Sequence, residues 1–323
     1  MNRKLRKVLL ALFLIILSFI AIDNTVYRVL KQGIVQYYGL EKDAQILCIG
    51  HSQTVLGIDA QKLERKIGVR VAKYAVAGAN TVDRFWMIKH YLSLNPDVKM
   101  VIYGVDARLF DSQGLSSASY TLFLPFVDNP LMSSYLRQYA SWQEYYSSKI
   151  FKSARFRDQT LNIALRGLFH RAENRKNGRL KVEDFHNYLQ QQRKRKIRIN
   201  DEDLKCFRET LQFLSSRGIR VILIDVPVVD LMNEIDQTNQ RKAIDIFATA
   251  AETDPNVCFL DYGKDYEHNY ALFFDLRHLN EEGKQAITKR LVADLRKIVR
   301  KGQDSLPQWV GPQQVRQTVG RTS

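Results

Sequence analysis

The chain has 323 residues, 45% hydrophobic and 26% charged, a composition that can bury a sizeable core and that excludes disordered and collagen-like classes. Its 49 Lys and Arg against 34 Asp and Glu leave a net charge of +15, concentrated between Lys152 and Arg198, where fourteen basic residues meet four acidic ones. The aromatics in that stretch form no stacking surface and no zinc or RNA-binding signature is present, so nucleic acid is not the expected partner.

At the start, Arg3, Lys4, Arg6 and Lys7 precede the uncharged run VLLALFLIILSFIAI, residues 8–22. The run is shorter than the roughly 20 residues of a comfortable membrane span and fits a signal-peptide core or a short anchor. Phe19 spoils the small-x-small pattern a cleavage site needs around Ser18 to Ala21, which favours a retained anchor. A buried amino-terminal helix is the weaker alternative, because the run is apolar on every face. Residues 1–23 are thus read as a basic cytoplasmic start and a single membrane helix, with the main domain extracytoplasmic. Residues 24–43 read as a helical or irregular stalk.

Five short apolar runs follow, alternating with helical segments. AQILCIG (44–50) leads to a helix over 58–68, and VRVAKYAV (69–76) to one over 81–94. KMVIYGVD (99–106) follows the turn signal Asn95-Pro96-Asp97. IRVILIDVP (219–227) follows a helix over 201–216, closed near Gly218. VCFLDY (257–262) follows a helix over 237–252, and a last helix from Glu281 to about Val299 has Asn280 as its N-cap. Continuous apolar strands between helices mean a parallel sheet covered on both faces. The expected fold class is α/β: a flavodoxin-like three-layer sandwich of about five parallel strands over 44–300, ligands binding beyond the carboxyl ends of the strands. A mostly helical insertion over about 110–200, aromatic and then basic, interrupts the alternation. It would stand over the sheet edge. For an exported chain, its charge suits lipid headgroups or an acidic surface polymer, or is a solvated face. The tail over 301–323 is read as disordered.

Cys48, Cys206 and Cys258 cannot all pair, and there is no CxxC and no metal-ligand spacing; Cys48 and Cys258, inside apolar strand-like runs, read as buried free thiols. HSQT lacks the ending of a phosphate loop. Neither metal nor nucleotide cofactor is implied.

The stretch ILCIGHSQT (46–54) ends a strand on Ser52, where a nucleophile would stand. A serine hydroxyl needs a base, and the base works best when a third group orients it. FFDLRHLNEEG (273–283) supplies Asp275 and His278, three apart and entering a capped helix. Asp265 and His268 make a second such pair in a looser stretch. Each has a structural reading beside it: Ser52 as a turn cap, His51 as a turn residue, Asp106 as the closure of a turn after the third strand, Gly78 as backbone freedom only.

GHS after the first strand, AVAGAN after the second, YGVD after the third and FFDLRHLNEEG before the last helix together resemble the SGNH (GDSL-type) hydrolases. With the anchor, the layout is similar to the membrane-anchored SGNH-like proteins of teichoic-acid D-alanylation and alginate O-acetylation. The resemblance covers about 44–109 and 201–300. It implies Ser52 as nucleophile, His278 as general base and Asp275 as its orienter. The oxyanion donors it implies are the Ser52 and Gly78 N–H groups, with the Asn80 side chain as a further candidate. His51 stands where the family often has Asp, and Asp106 where it usually has Asn, a group that cannot donate while ionised. The implied function is that of a serine esterase or O-acyltransferase acting on an acylated cell-surface polysaccharide, with a multispanning membrane acyltransferase as donor partner for transfer. The Asp106 departure motivates the rival reading, a catalytically inactive assembly or glycan-binding protein.

Overall fold

The computed structural model describes residues 3–111, 119–169, 176–181 and 196–301. Residues 302–323 of the expected disordered tail, and Arg193, Lys194 and Arg195 of the basic run, lie outside the described residues. In chain order the principal elements are α1 (Arg3–Tyr38), β1 (Ile46–Gly50), α2 (Ser52–Gly57), α3 (Ala60–Ile67), β2 (Val71–Ala75), α4 (Thr81–Leu94), β3 (Met100–Val105), α5 (Pro130–Tyr139), α6 (Trp142–Ile150), α7 (Asp158–Leu168), α8 (Asp201–Ser215), β4 (Arg220–Asp225), α9 (Gln237–Thr253), β5 (Val257–Asp261) and α10 (Glu281–Lys301). They form two compact units: Met1–Gly39 with Ala118–Ala172, and Leu40–Ser117 with Glu173–Ser323.

In the first unit α1 is one helix of 36 residues, so the stretch read as a stalk is helical as far as Tyr38. Its amino-terminal half exposes apolar side chains from Leu5 to Ile22 and is long and apolar enough to cross a membrane. Beyond that run Asp23, Tyr27, Ile34 and Tyr38 are buried along one stripe, the spacing that carries one helix face inward. The close partner is α7. A Cβ on Gly33 would lie 2.0 Å from the Ala164 carbonyl oxygen, and one on Gly167 1.7 Å from that of Gly33. The two helices therefore touch backbone to backbone, which only glycine permits. The buried Arg155 guanidinium clasps Asp128 through Nη1 (2.5 Å) and Nη2 (3.1 Å) and donates from Nε to the Ser148 carbonyl (2.7 Å).

The second unit is a parallel five-stranded sheet in the order β2-β1-β3-β4-β5, the flavodoxin-like arrangement. On one face α3 and α10 bring Leu63, Ile287, Leu291 and Leu295 onto Ile46, Cys48, Ile102 and Ile222. On the other, α4 meets α8 through Phe85 and Phe213, and Phe207, Phe247 and Phe110 stack edge to face and tilted beneath β3 and β5. The result is the three-layer α/β sandwich expected. Of the expected insertion, residues 119–169 fall in the unit built on α1, and 176–181 and 196–200 in the sheet unit. Gly218, expected as the C-cap of α8, lies two residues past the Ser216 cap, with φ 66°.

The helix α2, absent from the sequence reading, decides where the strand edge presents its side chains. It starts one residue after β1 and brings the buried Thr54 down between two strands. A Cβ on Gly50 would lie 1.9 Å from Thr54 Oγ1, and one on Gly104 2.0 Å from the same atom. Thr54 is β-branched and stiff, so the strands must yield the space. Gly104→Ala is therefore expected to cost about 1–3 kcal/mol through overpacking and to lower the melting temperature. Thr54→Ala in the same chain should restore part of the loss, because it removes the clashing hydroxyl; thermal unfolding of the two variants checks it.

Candidate active site

His51 links β1 to α2 in extended conformation and caps the helix, its Nδ1 accepting from the Gln53 N–H at 3.2 Å. Ser52 is the first residue of α2, where backbone N–H groups have no intrahelical acceptor. Its Oγ lies 2.9 Å from His278 Nε2, a contact spanning 226 residues of sequence.

His278 and Asp275 sit in a loop closed on itself. Phe273 and Leu279 form an antiparallel bridge, and the Phe274 N–H donates to the His278 carbonyl at 2.8 Å. Asp275 Oδ1 accepts from the N–H groups of Arg277 (2.8 Å) and His278 (2.9 Å). His278 Nδ1 lies 3.0 Å from Asp275 Oδ1 and 2.9 Å from Oδ2. A carboxylate only accepts, so Nδ1 carries the hydrogen and Nε2 is left as acceptor for the Ser52 hydroxyl. Burial pushes the Asp275 carboxyl up, but the hydrogen bond and charge of His278 and the two N–H donors outweigh it, and its pKa falls below the ordinary value. The arrangement can take a proton from Ser52 and return it to a leaving group.

The other Asp-x-x-His pair is dispersed. His268 is largely exposed and bonds Asp230 at 3.0 Å, while Asp265 faces Arg290 at 3.6 Å. Gly78, with φ 82°, lines the cleft beside Ser52. Asn80 is not among the described residues of that lining. It caps α4, its Oδ1 accepting from the Asp83 N–H at 2.9 Å while the Asp83 carboxylate accepts from the Asn80 N–H at 3.0 Å, which commits its carbonyl oxygen and leaves only its NH₂ group for any other task.

Asp106 does close a turn, Oδ1 accepting from the Arg108 N–H at 2.8 Å. Its Oδ2 lies 2.7 Å from His51 Nε2, a close contact rather than an aligned hydrogen bond. The two positions at which the sequence departs from its resemblance are therefore neighbours in space. Behind them the fully buried Arg84 donates to the carbonyls of Ala79 (3.1 Å) and Gly104 (2.7 Å). Burial would raise the Asp106 pKa, yet His51, Arg84 and the Arg108 N–H hold it well below the carboxylate range. Burial lowers the His51 pKa more than Asp106 raises it, so the imidazole is neutral with its hydrogen on Nε2.

These groups line a cleft of about 200 Å³ bounded by His51, Ser52, Gly78, Asp106, Arg277 and His278. Its far wall carries Asp225, Asn233 and Gln240, which the sequence reading missed. Gln240 donates to Asn233 at 2.6 Å, and Asn233 donates to Glu267 at 2.6 Å. The signal for Asp225 was its place at the carboxyl end of an apolar strand, beside Asp261 in register. Burial and the charges of Asp261, Asp106 and Glu267 raise its pKa well above the ordinary value. Among the described residues no group of three or more His, Cys, Asp or Glu is arranged to hold a metal ion.

Two outcomes test these electrostatics. His51→Ala strips the cap and the neighbour from a buried carboxylate, an expected loss of roughly 1–3 kcal/mol, and Asp106→Asn in that background should recover part of it; chemical denaturation reads both. A raised folded pKa means that Asp225 contributes its full stability below the unfolded value of about 3.9 and loses it as pH rises through the folded value. Asp225→Asn should therefore melt near the wild type at pH 4 and progressively above it toward pH 8.

No protein-family profile matches the chain, and no curated protein matches it. Among solved structures it is similar to a candidate acylhydrolase from Bacteroides fragilis, at 10% identity over 78% of this chain and 86% of that one, with a TM-score of 0.39. It is also similar to a GDSL-like lipase from Bacteroides thetaiotaomicron, at 10% identity over 78% of this chain and 89% of that one, with a TM-score of 0.37.

Proposed function

We propose that the chain is a serine esterase or O-acyltransferase of SGNH type, anchored by α1 with its amino terminus cytoplasmic and its sheet unit extracytoplasmic, acting on acyl groups of a cell-envelope polysaccharide. The observation that carries this reading is the continuous line from Ser52 Oγ through His278 to Asp275, each step 2.9 Å. Ser52 Oγ attacks the acyl carbonyl carbon as its proton passes to His278 Nε2. The tetrahedral oxyanion is held by the N–H groups of Ser52 and Gly78, with the Asn80 NH₂ as a third candidate. The imidazolium, steadied by Asp275, returns the proton to the leaving alkoxide, the ester bond breaks and the acyl group stays on Ser52. Water or a glycan hydroxyl then gives its proton to His278 and attacks the acyl-serine carbonyl, and His278 returns that proton to Ser52 Oγ as the acyl–oxygen bond breaks. With a glycan acceptor the net reaction is transfer, and a multispanning membrane acyltransferase is the proposed donor partner. The amide and carboxyl groups of Asn233, Gln240 and Asp225 on the far wall suit a hydroxyl-rich substrate.

The rival is a glycan-binding protein without turnover. The ionised Asp106 favours it, because a carboxylate near a developing oxyanion is repulsive. The full chain in detergent, assayed on p-nitrophenyl acetate, separates the two. Ser52→Ala and His278→Ala should each lower kcat/KM at least about 10³-fold, and Asp275→Asn by less. A fluorophosphonate should label wild-type Ser52. Equal hydrolysis by wild type and Ser52→Ala sinks the mechanism, and glycan capture unaffected by Ser52→Ala, with no ester turned over, supports the rival.

A further inference from the structure

Three large side chains on α6 lie at i, i+4 and i+8 on one face: Trp142, Tyr146 and Ile150, exposed by 71%, 58% and 68%. The opposite face is packed, with Ser148 buried and the Tyr145 hydroxyl 2.7 Å from Ser133 Oγ. An apolar stripe of this size on a nine-residue helix calls for a partner.

The carboxyl end of α6 is tied to one level of α1. The Phe151 ring meets Phe19 edge to face, centroids 6.2 Å apart. One residue on, the Lys152 ammonium donates to Asn24 Oδ1 at 2.7 Å, and the N–H groups of Lys152 and Ser153 donate to the Asp23 carboxylate at 2.8 Å each. Phe19 belongs to the apolar run, and Asp23 and Asn24 are the first residues beyond its end. If the run crosses a bilayer, α6 is held at the boundary between hydrocarbon and water, where Trp and Tyr are enriched. The run also needs help. Its 15 residues rise about 22 Å at 1.5 Å each, against a hydrocarbon core of about 30 Å. Apolar surface added beside its outer end reduces that mismatch.

We propose that the face of α6 bearing Trp142, Tyr146 and Ile150, together with Phe151, is a membrane-docking surface that lies in the phospholipid headgroup boundary beside α1. This rests on reading the apolar half of α1 as a membrane span, and the experiment reports on the two separately. The full chain is reconstituted into phosphatidylcholine vesicles with bromine at carbons 6 and 7 of one acyl chain. Trp86→Phe with Trp309→Phe leaves Trp142 as sole reporter. In a chain with all three tryptophans replaced by Phe, Phe13→Trp reports on α1, and Ile150→Trp is a second reporter for α6. The expected result is at least a two-fold loss of emission for all three reporters relative to unbrominated vesicles, with Trp142 shielded from aqueous iodide. Quenching at position 13 with positions 142 and 150 open to iodide overturns the proposal and leaves the anchor standing. No quenching at any position overturns both. Quenching at 13, with 142 shielded from bromine and iodide alike until the protein is diluted, overturns the proposal in favour of a second copy on this face.

Discussion

Everything at the strand edge depends on how closely α2 approaches the sheet. The chain leaves β1, spends a single residue on the turn and drives Thr54 into a seat formed by two missing side chains, those of Gly50 and Gly104. With the helix this low, its first residue stands beyond the carboxyl ends of the strands. A Cβ on either strand would meet Thr54 Oγ1 at 1.9 or 2.0 Å, so one of the two elements would have to shift. The glycine of the GHS block and that of the YGVD block thus share one task, although 54 residues separate them.

The charge around the hydroxyl is arranged with comparable economy. The Asp275 carboxyl is held low by the hydrogen bond and charge of His278 and by two backbone N–H donors, and that of Asp106 by His51, Arg84 and the Arg108 N–H. Asp225, lining the same cleft, is pushed the other way by burial and by the charges of Asp261, Asp106 and Glu267. The carboxyl groups around this site are thus pushed in opposite directions, and what separates them is the neighbour each was given.

Much of this was legible in the residues. Unbroken apolar runs such as ILCIG and VILID announced buried parallel strands, and the cap at Asn280 marked the start of the last helix, because capping is local chemistry that a sequence displays directly. The Asp275–His278 pair was legible for the same reason, its spacing of three permitting a contact inside one loop. What stayed hidden is long-range. No local pattern says that His51 meets Asp106, since two strands must first pair, nor that Asp225 joins the cleft wall. Asn80 carries two signals at once: the resemblance offered its side chain as an oxyanion candidate, and Asp83 three residues on makes it one half of a capping box. The stalk read after the anchor is a helix because its inward stripe has α7 to pack against, and that partner lies more than a hundred residues away.

The loop that bears the imidazole has a consequence for how the site comes into being. Its bridge, its carbonyl contact and its three bonds to one aspartate all lie between Phe273 and Leu279. Closing so short a segment costs little chain entropy, so the Asp275–His278 pair can be assembled from neighbours alone. Maturation of the centre is then left with one expensive encounter, in which a ready-made fragment is carried to a hydroxyl at the far end of the domain's sequence.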